Sequence, residues 1–339
     1  HGELFAKMIS SVGITFNLKK DFPTRGGEDS HPPDLAAECE EEETVDMLAS
    51  SLARLAQKVL LFPHNPDMLD KLDQSRPDLV FNIAEGWFGR NRESLIPALL
   101  ELLHIPFTGS DALSLGIALD KAMAKRVVST AGIRTPRWRK VNSAREAAQV
   151  DLGFPVFVKP NFEGSSKGIR NSSRVNNHEE LAEKVEWILA TYGQPALVEE
   201  FLPGREFTVG IIGNGRPHVL PVMEVVPGDR DTADHEFVYS FETKSGNLER
   251  FRVPAPISPE LAAEISEMAV GVFETIECRD VARVDFRLDA DGRPNFLEIN
   301  PLPGMSRVSL LPLQAKAAGM DFDDLVDWIV RSAWTRYYH

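Results

Sequence analysis

One segment restricts the fold more than any other: Ala282-Arg283-Val284-Asp285-Phe286-Arg287-Leu288-Asp289-Ala290-Asp291-Gly292-Arg293-Pro294-Asn295-Phe296-Leu297-Glu298-Ile299-Asn300. On both sides of a turn signal it alternates apolar and polar residues, the period of a strand and not of a helix. Val284, Phe286 and Leu288 make one apolar face, while Arg283, Asp285 and Arg287 point the other way. Asp291-Gly292 suits a two-residue type I′ turn, because both central positions want φ > 0. With that turn Ala290 pairs with Arg293, and counting back sets Asp285 opposite Glu298 and Asn300 opposite Arg283. Two like charges about 5 Å apart across a ladder are destabilising unless something cationic sits between them. A hard divalent ion wants such an oxygen set, and Mg²⁺ typically takes one or two carboxylates plus substrate phosphates. A surface hairpin whose charges face water has the same pattern, so the segment alone leaves both readings open.

The 339 residues around it are too many for one ordinary core, which sets the expectation of two or three domains. The first part alternates strand and helix patterns. Val12 to Phe16 reads as a strand, and Asn17 to Glu43 as a long polar stretch whose acidic end opens a helix with Val45, Leu48, Leu52, Leu55 and Ala56 on one stripe. Strand-like Lys58 to Phe62, a short helix over Asp67 to Leu72, strand Asp78 to Ile83, the loop Glu85 to Arg92 and a helix over Glu93 to Leu103 follow. Repeated β-then-α predicts an open parallel sheet over residues 1–119, with ligands at the carboxyl ends of its strands. The middle, 120–203, reads as a small α+β unit. It has helix Asp120 to Thr130, strand Phe154 to Pro160, the small-residue loop Asn161 to Ile169, helix His178 to Thr191 and strand Pro195 to Leu202. The last part, 204–339, is richer in strands: Glu206 to Ile212, Gly215 to Val226, Glu236 to Lys244 and the hairpin, with helices over Pro259 to Phe273 and Asp321 to Trp334.

A net charge of −14 argues against nucleic-acid and anionic-membrane partners, so any phosphate must be met by a local basic site. Two such sites are visible. Lys121 sits on the amphipathic helix, and Lys159 closes the apolar run Val156-Phe157-Val158, where a desolvated ammonium needs an anion. Gly164-Ser165-Ser166-Lys167-Gly168 has the small residues that let backbone N–H groups approach phosphate oxygens, without the spacing of a Walker A loop. Glu199-Glu200-Phe201-Leu202 either presents backbone groups to an adenine edge or is an edge strand with solvated acids, and Glu206 stands where a carboxylate can hold a ribose diol. Cys39 and Cys278 are too far from other ligands for a zinc site, and a reducing cytoplasm is the expected setting. No apolar run approaches a membrane span, and the start lacks a signal-peptide pattern.

The order of these signals resembles the ATP-grasp superfamily and, more narrowly, the D-alanine–D-alanine ligases. The words that match are Phe107-Thr108-Gly109-Ser110, Asp120-Lys121, Val158-Lys159-Pro160, Glu163-Gly164-Ser165-Ser166, Glu206-Phe207-Thr208-Val209, Arg283-Val284-Asp285, Glu298-Ile299-Asn300 and Pro303-Gly304-Met305-Ser306. The resemblance implies an α/β chain with an ATP-grasp fold and an ATP-dependent ligase. In it Lys121, Lys159, Ser165 and Ser166 would meet ATP phosphates, and Glu163 would belong to the same ATP site. Glu199, Phe201 and Leu202 would line the adenine slot, Glu200 and Phe296 would also bind ATP, and Glu206 would take the ribose. Asp285, Glu298 and Asn300 would hold two Mg²⁺ ions, with Mn²⁺ an alternative. Arg283, Lys244 and Ser165 would be catalytic, the first at the developing oxyanion and the second at the γ-phosphate. Gly304, Ser309 and Leu310 would take the second amino acid.

The resemblance breaks around the first substrate. The first strand runs into Asn17-Leu18-Lys19-Lys20 with no His-Gly-Gly-x-Ser-x-Glu word, whose Glu holds the first ammonium in the family. Ser245 stands where the family has a Tyr after the Lys of its mobile loop, and Glu85 to Glu93 replaces the His-Gly-x-x-Gly-Glu-Asp-Gly loop. The expectation is therefore a carboxylate–amine ligase with a first substrate other than D-alanine, with Arg90 and Arg92 suited to an anionic group on it. A D-alanine–D-alanine ligase with a remodelled N-terminal loop and a non-enzymatic nucleotide-binding protein are the alternatives. The partners expected are small carboxylates and amino acids, and the family suggests a homodimer through the N-terminal domain.

Overall fold

A computed structural model describes residues 9–23, 32, 34–227 and 249–338. Three sheets carry the described residues. The first is parallel, in the order β2 (Ala56–Pro63), β1 (Ile9–Phe16), β3 (Leu79–Asn82), and a parallel bridge from Val80 to Phe107 extends it. Its strands are apolar because both faces are covered. The Glu42–Leu52 and Phe322–Tyr338 helices pack on Ile14, Phe16 and Leu79, and the Met68–Ser75 and Leu95–Leu102 helices pack on Phe62 and Val80. The chain's last helix thus closes the core of its first sheet. Strand order reverses on either side of β1, so the loops leaving β1 and β3 diverge at one crevice.

The second sheet is antiparallel, in the order β4 (Trp138–Val141), β7 (Ala196–Glu200), β5 (Val156–Pro160), β6 (Arg174–Val175), backed by the His178–Tyr192 helix through Leu181, Val185 and Ile188. β7 is interior, which rules out the solvated edge strand considered for Glu199-Glu200. The third sheet runs β11 (Glu249–Arg252), β10 (Met223–Pro227), β8 (Glu206–Ile212), β12 (Val281–Leu288), β13 (Pro294–Asn300), with β9 (His218–Val219) on β8. The strand expected over Gly215 to Val226 is broken between β9 and β10, and the one expected over Glu236 to Lys244 lies outside the described residues. The Pro259–Thr275 helix packs its Ile265, Ala269 and Val272 on Phe207, Val284 and Phe286. Among the elements without a counterpart in the pattern reading are the Ala112–Leu119, Ala144–Ala147 and Leu310–Ala317 helices, β4 and β11.

The β12–β13 ladder pairs Asp285 with Glu298 and Arg283 with Asn300, the register counted from the sequence, but by a different route. The turn is a three-residue loop, with the Gly292 N–H donating to the Asp289 carbonyl and Gly292 at φ 77°, where only glycine is unstrained. That shifts the pairing by one, to Leu288 with Pro294. A bulge at Leu297 shifts it back before Asp285.

Candidate active site

A cavity of about 680 Å³ lies between the second and third sheets, at the crevice of the first. β12 and β13 supply its floor. The Glu298 carboxylate is 3.3 Å from the Lys121 ammonium and 3.9 Å from that of Lys159, which stands at the end of β5. Burial raises the Glu298 carboxyl, but Lys121, Lys159 and Arg283 override it and bring it down to about 2. Asp285 accepts from Thr208 Oγ1 at 2.6 Å and from Arg283 Nε and Nη2, both at 3.1 Å. The i, i+2 spacing on one strand is what puts Arg283 and Asp285 on the same face. Asn300 Oδ1 accepts the Leu302 N–H. Among the described residues no three His, Cys, Asp or Glu could hold an ion by themselves. Two carboxylates and an amide nevertheless fit Mg²⁺, which draws its other oxygens from phosphates and water.

Lys121 and Lys125, one turn apart on the Lys121–Thr130 helix, reach into the seam between the sheets. Lys121 donates to the Glu163 carbonyl as well as pairing with Glu298. Lys125 is wholly buried and donates to Thr135 Oγ1 at 2.8 Å and the Phe296 carbonyl at 3.2 Å, with Glu199 Oε1 at 2.6 Å. The other Glu199 oxygen is 2.9 Å from Lys159, so one buried carboxylate is shared by two lysines. Burial pulls the Lys125 ammonium down to about 8 against the Glu199 charge. The sequence reading missed Lys125, although its spacing of four from Lys121 is a helical-face signal.

The other expected residues divide. Lys159, Glu163, Ser165, Ser166, Glu199, Glu200, Phe201, Leu202, Glu206, Gly304, Ser309 and Leu310 all line the cavity, and Lys121 lines a narrow arm of it. Glu200 and Phe201 give their N–H groups to the Arg137 and Pro155 carbonyls, while the Leu202 N–H makes no backbone bond among the described residues. Glu206 accepts from Arg287 Nη1 at 3.2 Å, and burial raises its carboxyl against that charge. Ser309 stands at the N-cap position of the Leu310–Ala317 helix without a side-chain capping bond, and its hydroxyl shares a 2.8 Å hydrogen bond with Ser306. Phe296 is a correction: it is fully buried in the third sheet's core, and the bulge leaves its neighbour Leu297 to line the cavity. Arg90 is another. Its guanidinium donates to Asp120 Oδ2 at 2.8 Å and it does not line the cavity. Lys244 lies outside the described residues.

The Gly/Ser loop departs from expectation in its donors. A strap from the polar stretch, Asp34 to Glu41, returns beside β1 where the Glu40 N–H meets the Asn17 carbonyl, and it brings two carboxylates to the loop. Glu38 accepts the Gly164 N–H at 2.8 Å, Lys167 Nζ at 2.6 Å and Arg92 Nη2 at 2.9 Å. Asp34 accepts the Gly168 N–H at 3.0 Å and the Tyr192 hydroxyl at 2.8 Å. Two of the N–H groups expected to cradle phosphate are therefore taken by the protein. A Cβ on Gly164 would lie 2.6 Å from Glu38 Oε1, so the glycine serves the strap. Ser165 and Ser166 stand at φ 49° and 60°, an unusual conformation for non-glycine residues that turns this segment toward the cavity. Burial would raise the Glu38 carboxyl, but Arg92 and Lys167 bring it down to about 2. Arg92, expected at a substrate anion, is buried against Glu38 and Glu163.

The chain is similar to known proteins both in sequence and in fold. Residues 121–331 match the family model described as D-ala D-ala ligase C-terminus. A D-alanine–D-alanine ligase of Pelotomaculum thermopropionicum is 34% identical over 79% of this chain and 83% of that one, and the uncharacterised protein y4sG of Sinorhizobium fredii is 33% identical over 86% and 88%. The crystal structure of Bacillus anthracis D-alanine–D-alanine ligase complexed with ATP superposes with a TM-score of 0.73 over 97% of this chain and 98% of that one, at 24% identity.

Proposed function

The chain belongs to the D-alanine–D-alanine ligase family of ATP-grasp enzymes and is an ATP-dependent carbon–nitrogen ligase; from that premise we propose that it joins a first substrate other than D-alanine to an amino-acid nucleophile through an acyl phosphate. The observation that carries this reading is the Asp285–Glu298 pair, held across one ladder beside Lys121, Lys159 and Arg283 at one end of the cavity. A carboxylate is a poor electrophile, so its oxygen attacks the γ-phosphorus and ADP leaves. The amine then attacks the acyl carbon and expels phosphate. Both steps spread negative charge, and cations fixed before reaction stabilise it without reorganisation.

In this scheme Lys121 and Lys159 meet the phosphates and Glu206 the ribose. Leu202, whose N–H makes no backbone bond among the described residues, offers it to the adenine edge between Phe201 and Leu297. Arg283 serves the acyl oxyanion and Ser165 the reacting carboxylate, and the role at the transferred phosphoryl group is assigned to Lys244. Asp285, Glu298 and Asn300 would hold two Mg²⁺ or Mn²⁺ ions, which would supply charge neutralisation and orientation to the phosphates. Gly304, Ser309 and the start of the Leu310–Ala317 helix receive the second amino acid's carboxylate, since a helix N-terminus favours an anion. The units 1–119, 120–203 and 204–339 are the substrate, nucleotide and catalytic parts of this scheme. A reducing cytoplasm is its setting, supported by two free thiols and by the absence, among the described residues, of a helix able to cross a membrane. A homodimer without nucleic-acid or membrane partners completes it.

The first substrate is assigned away from D-alanine because the strap and the Glu85–Arg92 loop rebuild that side of the cavity. ADP release across paired amino acids and small carboxylates, with mass spectrometry of the product, tests it. A mixed product is expected. Efficient turnover of D-alanine alone would return the enzyme to the activity of its named relatives, and no ADP from any pair would remove the ligase reading.

A further inference from the structure

The cavity's narrow arm, about 40 Å³, opens beside Arg283, Glu298 and Asn300 and ends toward the first sheet in an acidic wall. Glu38, Glu85 and Glu93 line it, and they are not equivalent. Glu38 is satisfied by Lys167, Arg92 and the Gly164 N–H. Glu93 is 6% exposed and makes no hydrogen bond among the described residues. Its nearest cation, Arg92 at 3.9 Å, is already 2.9 Å from Glu38 and 3.4 Å from Glu163. Glu85, half-buried on the loop after β3, has neither a hydrogen bond nor an ion pair among the described residues. Among the described residues Glu38, Glu93 and Glu163 form ion pairs with Arg92 and Lys167 alone, while Lys121 pairs with Glu298 and acts on Glu93 only at longer range. Carboxylates so enclosed must take up protons or receive a cation. Burial, and for Glu85 the Glu93 charge, hold both carboxyls high, Glu93 at about 7.

We propose that this arm is a cation site for the acyl donor: Glu85 and Glu93 receive positively charged nitrogen of the donor, so that the enzyme prefers diamino acids to monoamino acids and rejects dicarboxylic acids. This rests on the ligase reading, which makes the end of the cavity beside Arg283 the donor's. It reverses the expectation of an anionic donor drawn from Arg90 and Arg92, whose charges are spent on Asp120 and on Glu38 and Glu163. Glu38, whose charge is already balanced by Arg92 and Lys167, is left out of this recognition.

Donor choice is read apart from the natural acceptor by trapping the acyl phosphate with hydroxylamine, whose nitrogen attacks the acyl carbon and expels phosphate to leave a hydroxamate. With saturating ATP and Mg²⁺, kcat/KM is expected to fall from 2,3-diaminopropionate to alanine to propionate by about tenfold per step, both enantiomers being tried where they exist, with succinate unused. The Glu85→Gln, Glu93→Gln double variant should treat 2,3-diaminopropionate and alanine alike while keeping the KM for ATP, and each single variant should fall between. Succinate used as well as 2,3-diaminopropionate, or a double variant that keeps the diamino preference, overturns the site. If no donor gives hydroxamate, the ligase reading fails, and calorimetric titration in ADP and Mg²⁺ still decides the site. Tighter binding of 2,3-diaminopropionate than of succinate, lost in the double variant, supports it; equal binding, or a preference the double variant keeps, overturns it.

Discussion

Lys125→Met isolates the buried charge relay behind the nucleotide side of the site. Lys125 has no exposed surface, and its ammonium meets Glu199 Oε1 at 2.6 Å, Thr135 Oγ1 at 2.8 Å and the Phe296 carbonyl at 3.2 Å. Methionine follows the same path through the core, so packing changes little and the loss is electrostatic. Removing one partner of a buried ion pair leaves an uncompensated charge and costs about 3–5 kcal/mol. Lys159, 2.9 Å from the other Glu199 oxygen, remains and offsets part of this. A loss of about 3 kcal/mol in equilibrium urea unfolding is therefore expected, a large share of the roughly 5–15 kcal/mol that holds a typical protein folded. Function should move too. With Lys125 gone, Glu199 is neutralised by Lys159 alone, and Lys159 has less charge to offer a phosphate, so the KM for ATP should rise more than kcat falls. Adding Glu199→Gln removes the stranded anion and should recover at least half of the lost stability. A loss under about 1 kcal/mol in the single variant, or a double variant no more stable than it, would refute the relay.

Two further outcomes follow from the same geometry. Glu298→Ala should abolish ADP formation while ATP still binds through the lysines, read by calorimetry beside an activity assay; full activity would remove the metal assignment. Glu38→Gln should narrow the window of stability against acid. The Glu38 carboxyl lies at about 2 in the folded protein against an ordinary 4.5, so its contribution is present above pH 4.5 and lost as pH falls toward 2. The shift corresponds to at most about 3 kcal/mol at neutral pH, and relief of repulsion on Glu85 and Glu93 returns part of it. Thermal midpoints of the two proteins should separate at pH 7 and converge near pH 2; a gap that does not depend on pH would contradict this.

The hairpin was the most legible part of the chain, and the reason is physical. Alternation fixes which side chains share a face, and only an even shift in register preserves that. The expected two-residue turn and the missing bulge at Leu297 are errors of one residue in opposite directions, so Asp285 still meets Glu298. Phe296, which the resemblance implies at the nucleotide, lies between the turn and the bulge, and there the true register turns it into the core. The strap was illegible. Asp34 and Glu38 look like solvated acids in a polar stretch because their partners, Gly164, Lys167, Gly168 and Tyr192, lie far along the chain. No local period records such contacts. The Glu42–Leu52 helix showed its stripe plainly, yet the stripe was carried too far, since Ala56 already pairs in β2. Arg90 and Arg92 were read as available cations because sequence shows a charge without its counter-charge.

The central claim is that the carboxylate is activated by phosphorylation. Donor labelled with ¹⁸O in its carboxylate, taken from the pairs that release ADP, tests it directly. An acyl phosphate requires that one labelled oxygen leave with phosphorus, so mass spectrometry should find singly labelled inorganic phosphate in step with ADP. Unlabelled phosphate beside a formed amide, or label appearing in AMP, would contradict the account.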